Sequence, residues 1–227
     1  MNVYLFYVSN NRLWRYFPNS VLALANPILK SGFNPIIVDT ALQDWHAVPI
    51  VDPLFIGFSA YTDSNISVAV AIAKEMRRSY PHLKLAWGGP HVIMLPEQTI
   101  EHPLVDFACF GEGETAVSAL AKAIAAKEKD FRNVPGVYWK NSLGEIVKNH
   151  PAAYVNLDEQ ELYPYRLLDE RLYPLKNGKM YYEASRGCPF GCKFCSYDHE
   201  KWRTRSPSRV VDDLAVIEAE FSPRRYR

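Results

Sequence analysis

The sequence predicts an α/β protein built on an open parallel sheet with helices on both faces. Two observations carry this expectation: apolar runs of strand length alternate about five times with stretches of helical period, and the later runs end in polar or glycine-bearing turns.

Asn2 to Val8, rich in Val, Tyr, Leu and Phe, reads as the first strand. Ser20 to Ser31 has helical period and meets a stop at Gly32, and Pro35 to Val38 is a second strand. Leu54 to Ser59 is the third. The helix over Ser64 to Tyr80 sets Ile66, Val70, Ala73 and Met76 or Arg77 on one face and Lys74, Arg77 and Arg78 on the other. Lys84 to Trp87 runs into Gly88-Gly89-Pro90, and a short helix covers Pro96 to Glu101. Asp106 to Phe110 runs into Gly111-Glu112-Gly113-Glu114, ahead of an Ala-rich helix over Thr115 to Lys127. The turn Asn141-Ser142-Leu143-Gly144 between Val137-Tyr138-Trp139 and Ile146-Val147 predicts a hairpin. His150 to Leu175, with Pro151, Pro164 and Pro174 among Tyr and Leu, predicts an ordered linker packed by aromatics.

Bulk composition bounds the function before any motif does. With 48% apolar and 22% charged residues, the 227-residue chain has the proportions of a globular protein able to bury a core. Its 26 Lys and Arg against 25 Asp and Glu leave a formal charge of +1, so no global field draws it to nucleic acid or anionic lipid, and neither is expected as a partner. No apolar run approaches the ~18 residues that span a bilayer, and Met1 to Tyr7 has none of the parts of a signal peptide, so the expected location is cytoplasmic. Of the four cysteines, Cys109 stands alone while Cys188, Cys192 and Cys195 crowd one stretch; crowded thiols without a secretory signal predict a metal rather than disulfides.

In open α/β sheets ligands bind beyond the carboxyl ends of the strands, where strand order reverses. Ser59, Tyr61 and Thr62 fall there after the third strand, Gly88 and Gly89 after the fourth, and Gly111, Glu112 and Gly113 after the fifth. Glycine permits tight turns and close approach of backbone N–H groups to a ligand, although any one pair also serves as an ordinary turn. His91, beside the glycines, either approaches the ligand or is a loop histidine bonded to backbone. No G-x-G-x-x-G follows the first strand, which disfavours a nicotinamide or FAD site.

The sharpest motif is Ser185-Arg186-Gly187-Cys188-Pro189-Phe190-Gly191-Cys192-Lys193-Phe194-Cys195-Ser196-Tyr197. Three thiolates on one loop can each hold a different iron of a cubane cluster and leave the fourth iron open for chemistry, whereas clusters that only carry electrons normally take four cysteines. Zinc held by the three cysteines and His199 has the right ligand types and count, but leaves Phe194 and the long α/β region unexplained.

This loop resembles that of the radical S-adenosylmethionine (radical SAM) enzymes, in which C-x3-C-x2-C follows the first barrel strand and an aromatic, here Phe194, precedes the last cysteine. The resemblance implies a 4Fe-4S cluster on Cys188, Cys192 and Cys195. S-adenosyl-L-methionine would chelate the open iron and be cleaved reductively to a 5′-deoxyadenosyl radical. It also implies a first barrel strand over Met180 to Ser185 and a first barrel helix over Val210 to Phe221 led in by Arg203 to Pro207, with Asp212, Asp213 and Glu218 as solvated charges. The first half resembles the Rossmann-like (flavodoxin-like) cobalamin-binding domain that precedes the barrel in the largest radical SAM subgroup. Ser59-Ala60-Tyr61-Thr62, Gly88-Gly89-Pro90-His91, Asp106 and Gly111-Glu112-Gly113-Glu114 carry that likeness, with Asn156-Leu157-Asp158 and Tyr163-Pro164 in the linker. The loop Ser9-Asn10-Asn11-Arg12 lacks the His and Gly of the D-x-H-x-x-G motif of other cobalamin proteins, as is usual in this subgroup. The resemblance therefore implies cobalamin bound without a histidine below the cobalt, and leaves open a domain that kept the fold without the ligand. Methylthiotransferases are excluded, because their second cluster needs three further cysteines.

The implied organisation is a cobalamin-binding-like domain over 1–130, a hairpin and linker over 131–178, and the start of a radical SAM β/α barrel over 179–227. The implied function is that of the amino-terminal portion of a cobalamin-dependent radical SAM enzyme, most often a methyltransferase acting on an unactivated carbon. Its partners would be a small-molecule or peptide substrate and a reductant such as flavodoxin or ferredoxin. The competing reading is a corrinoid-binding or sensing module with a vestigial iron–sulfur loop. Residues 196–227 are too few for a barrel, whose eightfold form takes ~250 residues. The expectation is thus a chain that stops after the first barrel strand, loop and helix, a fragment or truncated product inactive alone.

Overall fold

The computed structural model describes residues 1–9, 17–176, 178–193, 195 and 201–227. They form two compact units, Met1–Tyr154 and Val155–Arg227.

The first unit runs β1 (Asn2–Tyr7), α1 (Asn19–Lys30), β2 (Asn34–Asp39), β3 (Pro53–Ser59), α2 (Asn65–Ser79), β4 (Lys84–Gly88), α3 (Pro90–Met94), α4 (Pro96–Glu101), β5 (Phe107–Cys109), α5 (Gly113–Ala125), β6 (Val137–Lys140) and β7 (Ile146–Lys148). Strand order is β2-β1-β3-β4-β5-β6-β7. The first five strands are parallel, and their order 2-1-3-4-5 is that of flavodoxin-like sheets. The hairpin that the sequence reading groups with the linker joins this sheet instead: Trp139 of β6 stands opposite Phe107 of β5 and antiparallel to it, and Trp139 pairs in turn with Val147.

β1 reads as an unbroken apolar run because both its faces are buried. Val3, Leu5 and Tyr7 pack with Ile28, Phe55, Leu120 and Phe107 beneath α1 and α5, while Tyr4, Phe6 and Val8 pack with Ile56, Phe58, Ile72 and Leu85 beneath α2 to α4. Pro35 lies in β2, the edge strand, where a missing N–H breaks no ladder on the free side. α1 stops where expected: Gly32 has φ +82°, and the Phe33 N–H turns back to the Ile28 carbonyl. α2 begins at Asn65, whose N–H donates to Asp63 Oδ1 at 2.7 Å, and it buries Ala69, Ile72, Ala73 and Met76. Its Arg77 leaves the solvated face and pairs with Asp106.

That pairing assigns Asp106 a structural task. At the amino end of β5, its carboxylate accepts from Arg77 Nη2 at 2.5 Å, from Lys84 Nζ at 3.4 Å and from the Leu85 N–H at 2.9 Å, tying α2, β4 and β5 together at the edge opposite the glycine turns.

The second unit contains β8 (Lys179–Met180), β9 (Ser185–Arg186), β10 (Arg203–Thr204), α6 (Pro207–Phe221) and β11 (Arg225–Tyr226). The single strand expected over Met180 to Ser185 is divided, because its two ends pair with different neighbours. β8 pairs parallel with β11, and β9 pairs antiparallel with β10. Beyond α6 the chain forms a further strand, β11, which pairs parallel with β8 and lies past the point where the sequence reading ends the ordered elements. Asp213 is buried at 5% exposure rather than solvated, accepting from Tyr182 OH at 2.8 Å and Arg209 Nε at 2.9 Å, with Arg205 Nη1 at 3.5 Å. Linker residues Leu157, Tyr163, Tyr165, Leu168, Tyr173 and Leu175 are buried, and the Tyr165 ring meets Phe221 edge-on. Among the described residues no helix is long and apolar enough to cross a membrane.

Asp106→Ala is expected to destabilise the first unit by about 2 kcal/mol, because it orphans the Leu85 N–H and removes the ion-pair partner of Arg77, which keeps only the Pro81 and Leu83 carbonyls. The shift of the urea midpoint measures it; a change under about 0.5 kcal/mol, the size of an ordinary surface substitution, contradicts the structural role.

Candidate functional site

The carboxyl ends of β1, β3, β4 and β5 share one edge of the sheet, as parallel pairing requires. The loops after β3 and β4 interlock there. The Ala60 N–H donates to the Gly88 carbonyl at 2.9 Å and the His91 N–H to the Ala60 carbonyl at 3.0 Å. Gly89 has φ +88° and ψ −177°, a conformation essentially restricted to glycine, and an added Cβ would stand 2.9 Å from Ala60 N and 3.0 Å from Ala60 O. Gly89 is thus required by the chain's own crossing, whatever binds beyond it. Gly88 differs: a Cβ there would meet only ordinary contacts, the nearest being Cys109 Cβ at 3.8 Å.

The other predicted residues divide the same way. Ser59 is buried, and its hydroxyl meets Ser20 Oγ at 2.9 Å. A Cβ on Gly113 would come within 2.9 Å of Leu24 Cδ2, so this glycine admits α1 against α5. Tyr61 and Thr62 are exposed, and Thr62 Oγ1 lies 3.0 Å from His91 Nδ1. His91 is half-buried, which lowers its pKa and favours the neutral ring. Gly111 is exposed at φ +73° with nothing within 4 Å of an added Cβ, and Glu112 is half-buried just ahead of α5. The surface left for a ligand is therefore Tyr61, Thr62, His91, Gly88, Gly111 and Glu112.

Sequence reasoning missed three residues at this edge. Ser20 comes from the first turn of α1, and only the fold sets it against Ser59. Asn19 Oδ1 beside it and Trp87 Nε1, one residue before Gly88, are buried with no hydrogen-bond partner among the described residues. Orphaned polar atoms on two elements that end here, together with the unfilled space at Gly111, fit a large ligand bearing polar groups.

In the second unit, Cys188, Cys192 and Cys195 are free and exposed, and the Cys195 N–H closes a turn on the Cys192 carbonyl at 2.9 Å. The donor set, three soft thiols on one loop, fits an iron–sulfur cluster. Among the described residues no three His, Cys, Asp or Glu side chains converge on one point; Phe194 and His199 lie outside the described residues. Burial pushes the Cys109 thiol, at the end of β5, up to about 12, so at neutral pH it stays protonated and is a poor metal ligand.

A family model described as the B12 binding domain matches residues 47–121. The sheet edge described above is thus similar to that of a B12-binding domain. Every predicted residue of the sheet edge lies within the matched residues, and the cysteine loop lies outside. The chain is also 31% identical over 176 residues to an uncharacterized methyltransferase, PH0819, of Pyrococcus horikoshii, covering 75% of this chain and 38% of that protein. It is 28% identical over 210 residues to the cobalamin-dependent radical SAM methyltransferase TokK of Streptomyces tokunonensis, covering 82% of this chain and 30% of TokK. Among solved structures, the radical SAM methyltransferase TsrM of Kitasatospora setae, with tryptophan and a SAM analogue bound, superposes with a TM-score of 0.73 at 20% identity, covering 96% of this chain and 46% of TsrM. The chain is thus similar to these methyltransferases and spans less than half the length of each.

Two outcomes are expected at this edge of the sheet. Gly89→Ala is expected to cost about 2 kcal/mol of stability from backbone strain alone, while Gly88→Ala leaves the urea midpoint nearly unchanged. Gly88→Ala is therefore the variant that isolates ligand approach, and bulky replacements of Gly89 do not. Because burial lowers the His91 pKa, its contribution is complete above the ordinary value of 6.5 and is lost as pH falls below it. His91→Gln should flatten the fall in melting temperature just below that pH; an unchanged slope contradicts the burial.

Proposed function

We propose that this chain serves a cobalamin-dependent radical SAM enzyme that transfers a methyl group to an unactivated carbon of a small molecule or peptide, with electrons from a flavodoxin or ferredoxin. One observation carries the reading: a single chain joins a B12-binding domain to a loop of three free, exposed thiols spaced x3 and x2. The relatives named above are methyltransferases, which supports methyl transfer as the reaction, while cyclase relatives at 27–28% identity mark ring formation as its alternative.

On this reading Cys188, Cys192 and Cys195 hold three irons of a 4Fe-4S cluster, and the aromatic before the last cysteine is Phe194. The cluster, when bound, supplies the electron that cleaves S-adenosyl-L-methionine, and cobalamin carries the methyl group. The chain's own residues have simpler tasks. Gly88 and Gly111 let backbone approach the corrinoid, Thr62 orients the neutral His91 ring, and Tyr61 and Glu112 border the same opening. Cys109 stays protonated and takes no iron.

Anaerobic reconstitution with iron and sulfide, followed by cobalamin uptake, tests this. The chain is expected to take up about four irons and one corrinoid. Replacing all three loop cysteines by Ala abolishes the iron, and Cys109→Ala keeps it. Equal iron loss from Cys109→Ala contradicts the three-ligand assignment. Corrinoid uptake without iron favours a corrinoid-binding module with a vestigial loop instead.

A further inference from the structure

The cysteines lie in the loop of a hairpin whose stem, β9 against β10, has only two residue pairs, Ser185 with Thr204 and Arg186 with Arg203. So short a stem does not hold a long loop by itself. The linker holds it. Arg186 Nε donates to Glu183 Oε1 at 2.6 Å and Arg186 Nη2 to Tyr163 OH at 3.2 Å, while the Tyr163 hydroxyl donates to the same Glu183 oxygen at 2.6 Å. The Arg186 and Glu183 side chains are 13% and 25% exposed, and Tyr163 is buried. Burial, with Glu183 beside it, holds the Tyr163 phenol well above its ordinary range, so it remains a donor.

On the returning strand, Arg203 Nη1 donates to the Val155 carbonyl at 2.9 Å. The buried Arg205 reaches the carbonyls of Leu157 at 2.6 Å and Gln160 at 3.1 Å through Nη1, and that of Glu183 at 3.2 Å through Nε. Both feet of the cysteine loop are thus bolted to residues 155–163 by arginines.

We propose that Arg186, fixed by Glu183 and Tyr163, is a positioning residue for the cluster loop: it sets the direction in which the chain enters the loop at Gly187 and Cys188. The inference rests on the reading that the three cysteines hold a cluster. Gly187 follows Arg186 at φ +79° and the chain bends there, so Cys188 is the first residue past the bend. A rotation at Arg186 therefore moves the first ligand. The fork geometry of guanidinium matters here, because two donors must reach two different acceptors at once, which an ammonium on a flexible stem does poorly. Groups that orient metal ligands from behind typically change metal retention by 10- to 100-fold when altered.

The test uses the whole 227-residue chain, reconstituted anaerobically, with Glu183→Gln, Arg186→Lys and Tyr163→Phe. Three readouts are taken: the rate of iron loss to an added chelator, the electron paramagnetic resonance spectrum of the reduced cluster, and the melting of the iron-free chain. Glu183→Gln and Arg186→Lys are expected to lose iron on the order of tenfold faster and to alter the spectrum, with the exposed Asp212→Asn as an unchanged control. Tyr163→Phe deletes only a hydroxyl, so it remains readable if the charge variants do not fold, and it should speed iron loss in the same direction. Wild-type iron loss and spectrum in the variants, with only the iron-free melting lowered, would show a merely structural anchor and overturn the proposal. A wild-type chain that takes up no iron overturns the cluster reading itself, and this inference with it.

Discussion

Burial of the central sheet on both faces is the constraint from which the rest of the first unit follows. β1 sends Leu5 under α1 and α5 and Phe6 under the opposite layer, and neither face reaches water. Polar chemistry then has two places to go, the two rims where strands end. The amino rim is spent on structure, with Asp106 binding Arg77, Lys84 and the Leu85 amide. The carboxyl rim, where the loops after β3 and β4 cross, is what remains for a ligand. The match of the B12-binding domain to residues 47–121 encloses that rim from before β3 into α5.

At the carboxyl rim, close packing and ligand access compete for the same small residues. Gly89 and Ser59 are consumed by the chain itself, one by the Ala60 backbone and the other by Ser20. The distinction is steric: at Gly89 an added Cβ would strike backbone, so that glycine serves the fold, whereas Gly88 would accept one at ordinary contact distance and Gly111 would meet nothing. Thr62 and His91 pair across the crossing of the two loops and belong to the open part.

The second unit solves a different problem. A loop carrying three exposed thiols has little apolar surface of its own, so its position comes from polar anchors. Arg205, almost wholly buried, spends its guanidinium on the carbonyls of Leu157, Gln160 and Glu183 and on the Asp213 carboxylate. Such a charge is tolerable inside because it is paired with a carboxylate and bonded to carbonyls. The linker is therefore part of this unit's framework, and its proline-rich, aromatic composition reflects burial.

The sequence by itself determined the α/β alternation, the five parallel strands, the glycine-bearing rim and the x3, x2 cysteine spacing, because each is written in local periodicity or in residues adjacent along the chain. Helix stops such as Gly32 were legible for the same reason. Only the tertiary structure decided which glycines serve the chain, that the hairpin extends the sheet, that Met180 to Ser185 divides between two partners, and that Asp213 is buried between Arg205 and Arg209. Each of these depends on what packs against a residue from far along the chain. A helical face containing Asp212 and Asp213 looks solvated until the linker, about fifty residues earlier, sends its carbonyls to the arginines beside it. Periodicity reports which side of an element is apolar, and contact between distant segments decides what that side, or its polar opposite, will meet.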